Sequence, residues 1–379
     1  MRRGRRWIVR WIVALAAVGF VAWILPVRDR CWDPLAPTST RAPVSRTGAQ
    51  CILHLRSGPV TLGSTECARL RCEPGLESTF ARTRVGVLVG LLALYAAGTL
   101  AWAARWRALL GFAGVDLAIG KVWRISVEAQ AGGVLLPGGL GGDALRIGSV
   151  LAMAPRPGAV RSKAAIVVAS VLLDRAIGLS VIAALAAAMG CALRGRSVVV
   201  AAGPLEAVLA FIPAAVLGGF IWLRGDRFGE ARRPAWLVTA RLGPLLSPIL
   251  TYVRDRRAPH AVAIAVLLSV VVAAVQFAVV RGLVFAVGGV PADETWVYVG
   301  TAMAFIVNAV PALPGGWGTA DAAYVFFFGL AGLAPGVALA VCLMFRSFWY
   351  LSAVAGAILH MTHGSAFAQP AGSHPAEKT

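Results

Sequence analysis

The sequence LPGGLG at residues 136–141 recurs as LPGGWG at residues 313–318. Each copy follows an apolar stretch of only about fifteen residues, at 122–136 and 296–310. A helix needs ~20 residues, each rising ~1.5 Å, to cross a bilayer, so neither stretch is long enough. Short apolar segments that are broken by Gly and Pro in corresponding halves of a chain are typical of inverted-repeat membrane proteins. The repeat therefore predicts an all-α membrane protein with two re-entrant helical hairpins.

Composition supports this class. Of the 379 residues, 58% are hydrophobic and 14% are charged, and the mean hydropathy is +0.75. These values exclude an ordinary soluble globular protein. The net charge of +19 does not indicate a nucleic-acid partner, because the arginines lie between apolar spans and not along one soluble face. The basic excess instead predicts cytoplasmic loops that contact anionic lipid headgroups. We expect no nucleic acid and no cofactor.

Six stretches are long and apolar enough to span a bilayer. They lie at residues 7–25, 85–104, 164–189, 198–223, 261–287 and 336–361. Arginines precede the first stretch, so the positive-inside rule predicts a cytoplasmic N-terminus. A cleaved signal peptide is the alternative, but no small-residue cleavage site follows, which favours an uncleaved signal anchor at 1–26. The chain is then a multi-pass inner-membrane protein, with a disordered polar tail at 362–379.

The predicted external loop, residues 27–84, contains four of the six cysteines. They are Cys31, Cys51, Cys67 and Cys72. Four cysteines in one external loop predict two disulfides, with three alternative pairings. A metal site is the rival interpretation, but the loop has no Cys-x-x-Cys pair. Residues 52–56 and 60–62, separated by a Ser-Gly-Pro sequence, predict a small β-hairpin.

Arginine placement and span parity predict an inverted repeat. If residues 122–136 crossed the membrane fully, the four basic residues between positions 146 and 163 would fall outside, against the positive-inside rule. A re-entrant hairpin keeps them inside. Two units, 85–189 and 261–361, then have similar lengths and opposite orientations, and the Pro of each break follows the start of its unit by 52–53 residues. Together they form a transmembrane domain at 85–361.

Ionisable side chains inside spans indicate function, because each costs at least ~2.5–3.5 kcal/mol at the bilayer centre unless it is paired or hydrated. Asp174 and Arg175 lie in the middle of one span, and Arg346 lies in the middle of the equivalent span of the second unit. Adjacent helix positions point ~100° apart, so Asp174 and Arg175 are expected to pair with other helices. A polar cavity for a charged headgroup explains these residues, and so does a structural ion pair between the halves.

The breaks are the second part of the predicted site. Their glycines could present backbone N–H groups to a phosphate, beside the positive ends of the helices that follow, or could simply permit close helix packing. Two arginines, one in each unit, could then pass a phosphate from one half-cavity to the other. The predicted headgroup-binding set is Gly138, Gly139, Asp143, Arg146, Asp174, Arg175, Asn308, Gly315, Gly316, Asp321, Arg346 and Glu128.

The breaks and the first mid-span motif resemble the transmembrane domain of the lysylphosphatidylglycerol synthase/flippase family. The matching stretches are LLPGGLGGDALR at 135–146, LDRAIGL at 173–179 and LPGGWG at 313–318. The resemblance covers about 85–361 and implies an integral membrane protein related to flippases of aminoacylated or otherwise modified phospholipids. Bifunctional members continue into a soluble aminoacyl-transferase domain, for which a chain ending at Thr379 has no room. We therefore expect no lipid aminoacylation by this polypeptide.

The sequence thus predicts a lipid translocator that is not an enzyme. It would move a phospholipid, anionic or modified, or another lipid with a charged headgroup between leaflets. The oligomeric state stays open, a homodimer included. The main alternative is a membrane enzyme or accessory factor for lipid-linked sugar or envelope-lipid synthesis. Such an enzyme should show clustered acids or a His base at one membrane face, and the 288–295 loop has only Asp293 and Glu294. A structural or regulatory membrane protein is a third option, but it would not need intramembrane charges.

Overall fold

A computed structural model describes most of the chain. The described residues are 29–33, 42–47, 50–55, 58–112, 114–136, 139–153, 157–193, 210–219, 258–309 and 317–364. The predicted first span at 7–25 lies outside these residues, as do much of the span predicted at 198–223 and the tail beyond residue 364.

The described residues between 29 and 81 form a small domain, here called the cap. Its strands are β1 (Arg30–Trp32), β2 (Ala42–Thr47), β3 (Gln50–Leu55), β4 (Gly58–Leu62) and β5 (Arg71–Glu73), and its helices are α1 (Ser64–Arg69) and α2 (Leu76–Ala81). The strands form one antiparallel sheet in the order β4-β3-β2-β1-β5. The predicted hairpin is confirmed as β3 and β4. The described residues are mostly helical, but the expectation of an all-α chain is wrong for the cap. The sequence predicts its hairpin, whereas β1 and β5 have three residues each, too few to show an alternating pattern.

Two disulfides cross-link the cap, as predicted. Cys31–Cys72 joins the paired strands β1 and β5, and Cys51–Cys67 joins β3 to α1. The core between them is small and includes Val44. A domain of this size buries too little apolar surface to be stable by packing alone, so covalent cross-links supply much of its stability.

The remaining described elements are helices. They are α3 (Val85–Phe112), α4 (Ile119–Leu135), α5 (Leu140–Ala152), α6 (Pro157–Leu193), α7 (Ala210–Gly219), α8 (Ala258–Ala286), α9 (Glu294–Ala309), α10 (Thr319–Leu330) and α11 (Pro335–Gly364). Four of them, α3, α6, α8 and α11, are long and apolar enough to cross a membrane. They correspond to four of the six predicted spans and show a multi-pass membrane protein.

Both short apolar stretches form helices that end at a break. Helix α4 has 17 residues and α9 has 16, and each packs against the short helix that follows its break, α5 and α10 respectively. The two pairs of packed helices that the re-entrant interpretation requires are therefore present among the described residues. Their depth in a membrane, the total number of spans and the inverted repeat stay predictions.

The chain divides into two compact units, and both draw on several of the long helices. The first, here called the cap unit, contains the cap, α9, α10, α3 up to Gly98, α6 from Leu179, α8 from Ala273 and α11 up to Phe348. The second, here called the α4–α5 unit, contains α4, α5, α3 from Thr99, α6 up to Gly178, α8 up to Val272 and α11 from Trp349. Leu283 and Phe328 are fully buried in the core of the cap unit, and Trp106 and Val122 are fully buried in the core of the α4–α5 unit.

Backbone contacts join the cap to the membrane helices within the cap unit. The N–H of Arg84 donates to the carbonyl of Ala286 at 3.0 Å, so the start of α3 lies beside the end of α8. Gly336, at the start of α11, lies so close to the carbonyl of Pro74 that a Cβ would collide with it. The cap therefore contacts the start of α11, and the start of α3, which follows the cap in the chain, contacts the end of α8.

Candidate functional site

Glycines bring the two helices of the first hairpin into backbone contact. A Cβ on Gly141 would collide with the carbonyl oxygen of Gly132 on α4, and a Cβ on Gly142 would lie 2.7 Å from the carbonyl oxygen of Ala129. Of the two roles that the sequence allows for break glycines, these contacts support close packing at positions 141 and 142. Three other predicted break glycines lie outside the described residues. They are Gly138, Gly315 and Gly316.

Three residues of the predicted set meet at the first break, and we call them the first-break site. Gly139 directly precedes α5 and has φ 71°, a left-handed backbone conformation that residues other than glycine rarely adopt. Asp143 lies in the first turn of α5, where the helix dipole favours a negative charge. Arg175 of α6 pairs with Asp143 at 2.5 Å, and its guanidinium lies directly over Gly139, where a Cβ would come within 2.9 Å of Nη2.

The neighbouring Asp174 belongs to a separate buried network. Its carboxylate accepts two hydrogen bonds from Arg105 of α3, at 2.6 and 3.0 Å, and one from Arg146 of α5 at 3.2 Å. Arg105 also donates to the hydroxyl of Ser269 on α8 at 3.2 Å. The expectation that Asp174 and Arg175 pair with other helices is therefore confirmed. The network ties four helices of the α4–α5 unit together.

Arg146 is held between this network and two indole rings. Its guanidinium carbon lies 3.9 Å from the ring centroid of Trp102 and 4.9 Å from that of Trp106. The side chain is 2% exposed, and within the described part of the chain its Nη2 atom has no hydrogen-bond partner. The first-break site and the Asp174 network together contain three arginines and two aspartates, and therefore one excess positive charge. The arginines are Arg105, Arg146 and Arg175, and the aspartates are Asp143 and Asp174.

The second break is built in a similar way, and we call it the second-break site. Gly318, with φ 81°, precedes α10, and its N–H donates to Asp321 in the first turn at 2.8 Å. Arg346 of α11 donates to the same carboxylate at 2.7 Å, and the thiol of Cys342 donates to it at 2.8 Å. The Arg346 guanidinium also lies 4.3 Å from the ring centroid of Trp317.

The two break sites therefore share one arrangement. In each, an arginine from the middle of a long helix forms an ion pair with an acid in the first turn of the helix after the break. The pairs differ in exposure: the side chains of Arg175 and Asp143 are 30% and 17% exposed, whereas those of Arg346 and Asp321 are 7% and 4% exposed. Of the two arginines, Arg175 is the more accessible to a ligand.

Glu128 and Asn308 are the remaining described residues of the predicted set. Glu128 of α4 is buried and accepts hydrogen bonds from Arg124 at 2.7 Å and from His360 of α11 at 3.2 Å when that ring nitrogen is protonated. Asn308 lies half-buried near the end of α9. Glu128 is therefore engaged by one residue of its own helix and one of α11.

The sequence prediction misses Arg105, Trp102 and Cys342. The predicted second span, 85–104, ends just before Arg105, but α3 continues to Phe112 and Arg105 is buried. A usable signal exists, because apolar residues resume directly after Arg107, as expected of a helix that continues. Cys342 lies within the predicted span 336–361, where its sequence context gives no sign of a polar role, yet its thiol donates to Asp321.

Among the described residues, no group of three or more His, Cys, Asp or Glu side chains is arranged to hold a metal ion.

Comparison with known proteins places the chain in a family. No curated protein matches the chain. The family described as "Lysylphosphatidylglycerol synthase TM region" matches residues 75–356, which include both hairpins and both break sites. Because this match covers well over half of its length, the chain belongs to the lysylphosphatidylglycerol synthase transmembrane-region family.

Proposed function

We propose that this protein is a lipid translocator that moves a phospholipid with a charged headgroup between the two leaflets. The observation that carries the proposal is the ion pair at each break between a mid-span arginine and a first-turn acid. An arginine in the middle of a membrane span is costly unless it is paired or hydrated, and binding of an anionic headgroup would offset that cost. Membrane lipids are the partners in this proposal, and no catalytic step is assigned.

The chemistry of the pair suits exchange with a phosphate. A guanidinium binds a carboxylate and a phosphate with the same planar fork of N–H donors, so a headgroup phosphate can take the place of the Asp143 carboxylate on Arg175. The released carboxylate remains next to the positive end of α5, which limits the cost of separating the pair. The excess positive charge of the surrounding residues also favours an anion.

The buried Asp174 network has a different role in this proposal. Arg105 and Arg146 both donate to one carboxylate, that of Asp174, whereas Arg175 and Arg346 each pair with an acid in the first turn after a break. We assign Arg105, Arg146 and Asp174 to holding α3, α5, α6 and α8 around the first break. Arg175 and Arg346 are assigned to the headgroup.

The test is lipid flipping in proteoliposomes with leaflet-selective quenching of a labelled phospholipid. Arg175→Lys keeps the charge but loses the fork, and removing a charged hydrogen bond of about 1.5–3 kcal/mol should slow flipping roughly 10- to 100-fold. Arg346→Lys should also slow it. Arg107→Lys is the matched control, because Arg107 is 45% exposed and pairs with the surface residue Asp116.

Folding must be measured beside flipping. A structural role for the arginines predicts that the variants lose folded, membrane-inserted protein, whereas a headgroup role predicts folded variants that flip slowly. Flipping at the wild-type rate by a well-folded Arg346→Ala or Arg175→Ala protein would contradict the proposal.

A further inference from the structure

A groove runs along one face of α8 in the cap unit, and it shares no residue with either break site. Its volume is about 570 Å³, within the usual range for small-ligand sites. The groove is lined by Ala274, Phe277, Ala278, Arg281 and Phe285 of α8 and by Tyr298 of α9. We call it the α8 groove.

The mouth of the groove carries a charged pair. Arg281 donates to Glu294, the first residue of α9, at 2.5 Å, and the side chains are 29% and 52% exposed. The hydrogen bond from Arg281 lowers the pKa of the Glu294 carboxyl, which is therefore charged at neutral pH. The guanidinium of Arg84 lies 4.6 Å from the ring centroid of Phe285, which is one of the lining residues.

Below the charged pair the groove is apolar. The lining residues between Ala274 and Arg281 are spaced three or four apart and therefore lie on one face of α8. They extend about 10 Å along the helix, at ~1.5 Å per residue. One leaflet of the hydrocarbon core is about 15 Å deep, so this face matches much of one acyl chain. Phe277 and Tyr298 contact each other edge to face at 5.9 Å and form one wall.

We propose that the α8 groove is a binding site for one zwitterionic phospholipid, with its phosphate on Arg281, its ammonium group on Glu294 and an acyl chain along the apolar face. Arg281 alone would accept any lipid phosphate. Glu294 supplies the selectivity, because its carboxylate attracts an ammonium group and repels a headgroup that carries negative charge only. The proposal does not rest on lipid translocation.

The experiment measures lipid retained by the purified protein in detergent. The protein is equilibrated with equal amounts of phosphatidylethanolamine and phosphatidylglycerol, and bound lipids are counted by native mass spectrometry. The wild-type protein should retain phosphatidylethanolamine preferentially, by about two- to fivefold for one exposed ion pair. Glu294→Gln should bring the ratio of the two lipids close to one. Arg281→Ala should reduce the retention of both.

Asp116→Asn is the matched control, because Asp116 also forms an exposed pair with an arginine but lies outside the groove. It should leave both the amount and the ratio of bound lipid unchanged. No preference in the wild-type protein, or a preference that survives Glu294→Gln in folded protein, would overturn the proposal. Since no flipping is measured, this result is independent of the outcome of the translocation assay.

Discussion

Replacing Asp174 with asparagine tests whether the buried network holds the α4–α5 unit together. The side chain keeps its shape, but two guanidinium groups lose the carboxylate that neutralises them. Asp174 is 1% exposed, and the two arginines are 7% and 2% exposed, so water cannot readily replace the lost charge. The variant therefore leaves two uncompensated charges among packed helices.

The expected loss of folding free energy in Asp174→Asn follows from the charged hydrogen bonds that the substitution weakens or removes. Breaking a buried ion pair by removing one partner costs about 3–5 kcal/mol. Asp174 accepts bonds of 2.6, 3.0 and 3.2 Å from two arginines, so we expect a destabilisation near the upper end of that range. A destabilisation of about 4–5 kcal/mol lowers the folding equilibrium constant by roughly a thousandfold or more.

Two control variants define the scale. Ser269→Ala removes a neutral group that accepts a bond from Arg105 at 3.2 Å, and hydrogen bonds between membrane helices average about 0.6 kcal/mol. Asp116→Asn removes a carboxylate that is 89% exposed, which should cost at most about 1 kcal/mol. Unfolding of each variant by dodecyl sulfate in mixed micelles, followed by circular dichroism, gives the free-energy differences. If the destabilisation by Asp174→Asn is within about 1 kcal/mol of that by Asp116→Asn, the network does not hold the four helices together.

Three further outcomes are expected. Gly141→Ala forces a methyl group against the backbone of α4 and should destabilise the folded protein in the same unfolding assay by about 1–3 kcal/mol. Gly148 has open space around it, so Gly148→Ala should stabilise the protein by up to about 1 kcal/mol. Peptide mapping without reduction should recover the two cap disulfides in the pairing described above, and free thiols at those positions would contradict it. In intact cells, a membrane-impermeant thiol reagent should label a cysteine at Asp293 but not one at Arg156, and labelling at position 156 would refute the re-entrant topology.

The charged residues inside spans could be predicted from the sequence, but their partners could not. An arginine within a long apolar run stands out because the membrane makes it costly, so Arg175 and Arg346 can be identified directly. Their partner acids, Asp143 and Asp321, are identified separately through the repeated break motif. Which acid meets which arginine depends on the packing of non-consecutive helices, about which a single sequence contains no direct information.

Arg105 shows the limit more clearly. A charge at the end of a predicted span is easily interpreted as the end of the span itself, since interfacial arginines are common there. The residue that neutralises Arg105 is Asp174, which is 69 positions away. The cap is a similar case, because strands of three to six residues pair in an order that brings the first beside the last.

The attachment of the cap has a practical consequence for imaging. A protein of 39.5 kDa that lies mostly within a detergent micelle offers few features by which single particles can be aligned. The cap is joined to the helices through Leu76, which packs against Leu339 and Ala340 of α11, while Asp29 accepts a bond from the Gly75 N–H at 2.7 Å. An antibody fragment bound to the cap would therefore keep a fixed orientation relative to the start of α11. Bound in that way, it would serve as a fixed orientation marker for the cap unit in each particle image.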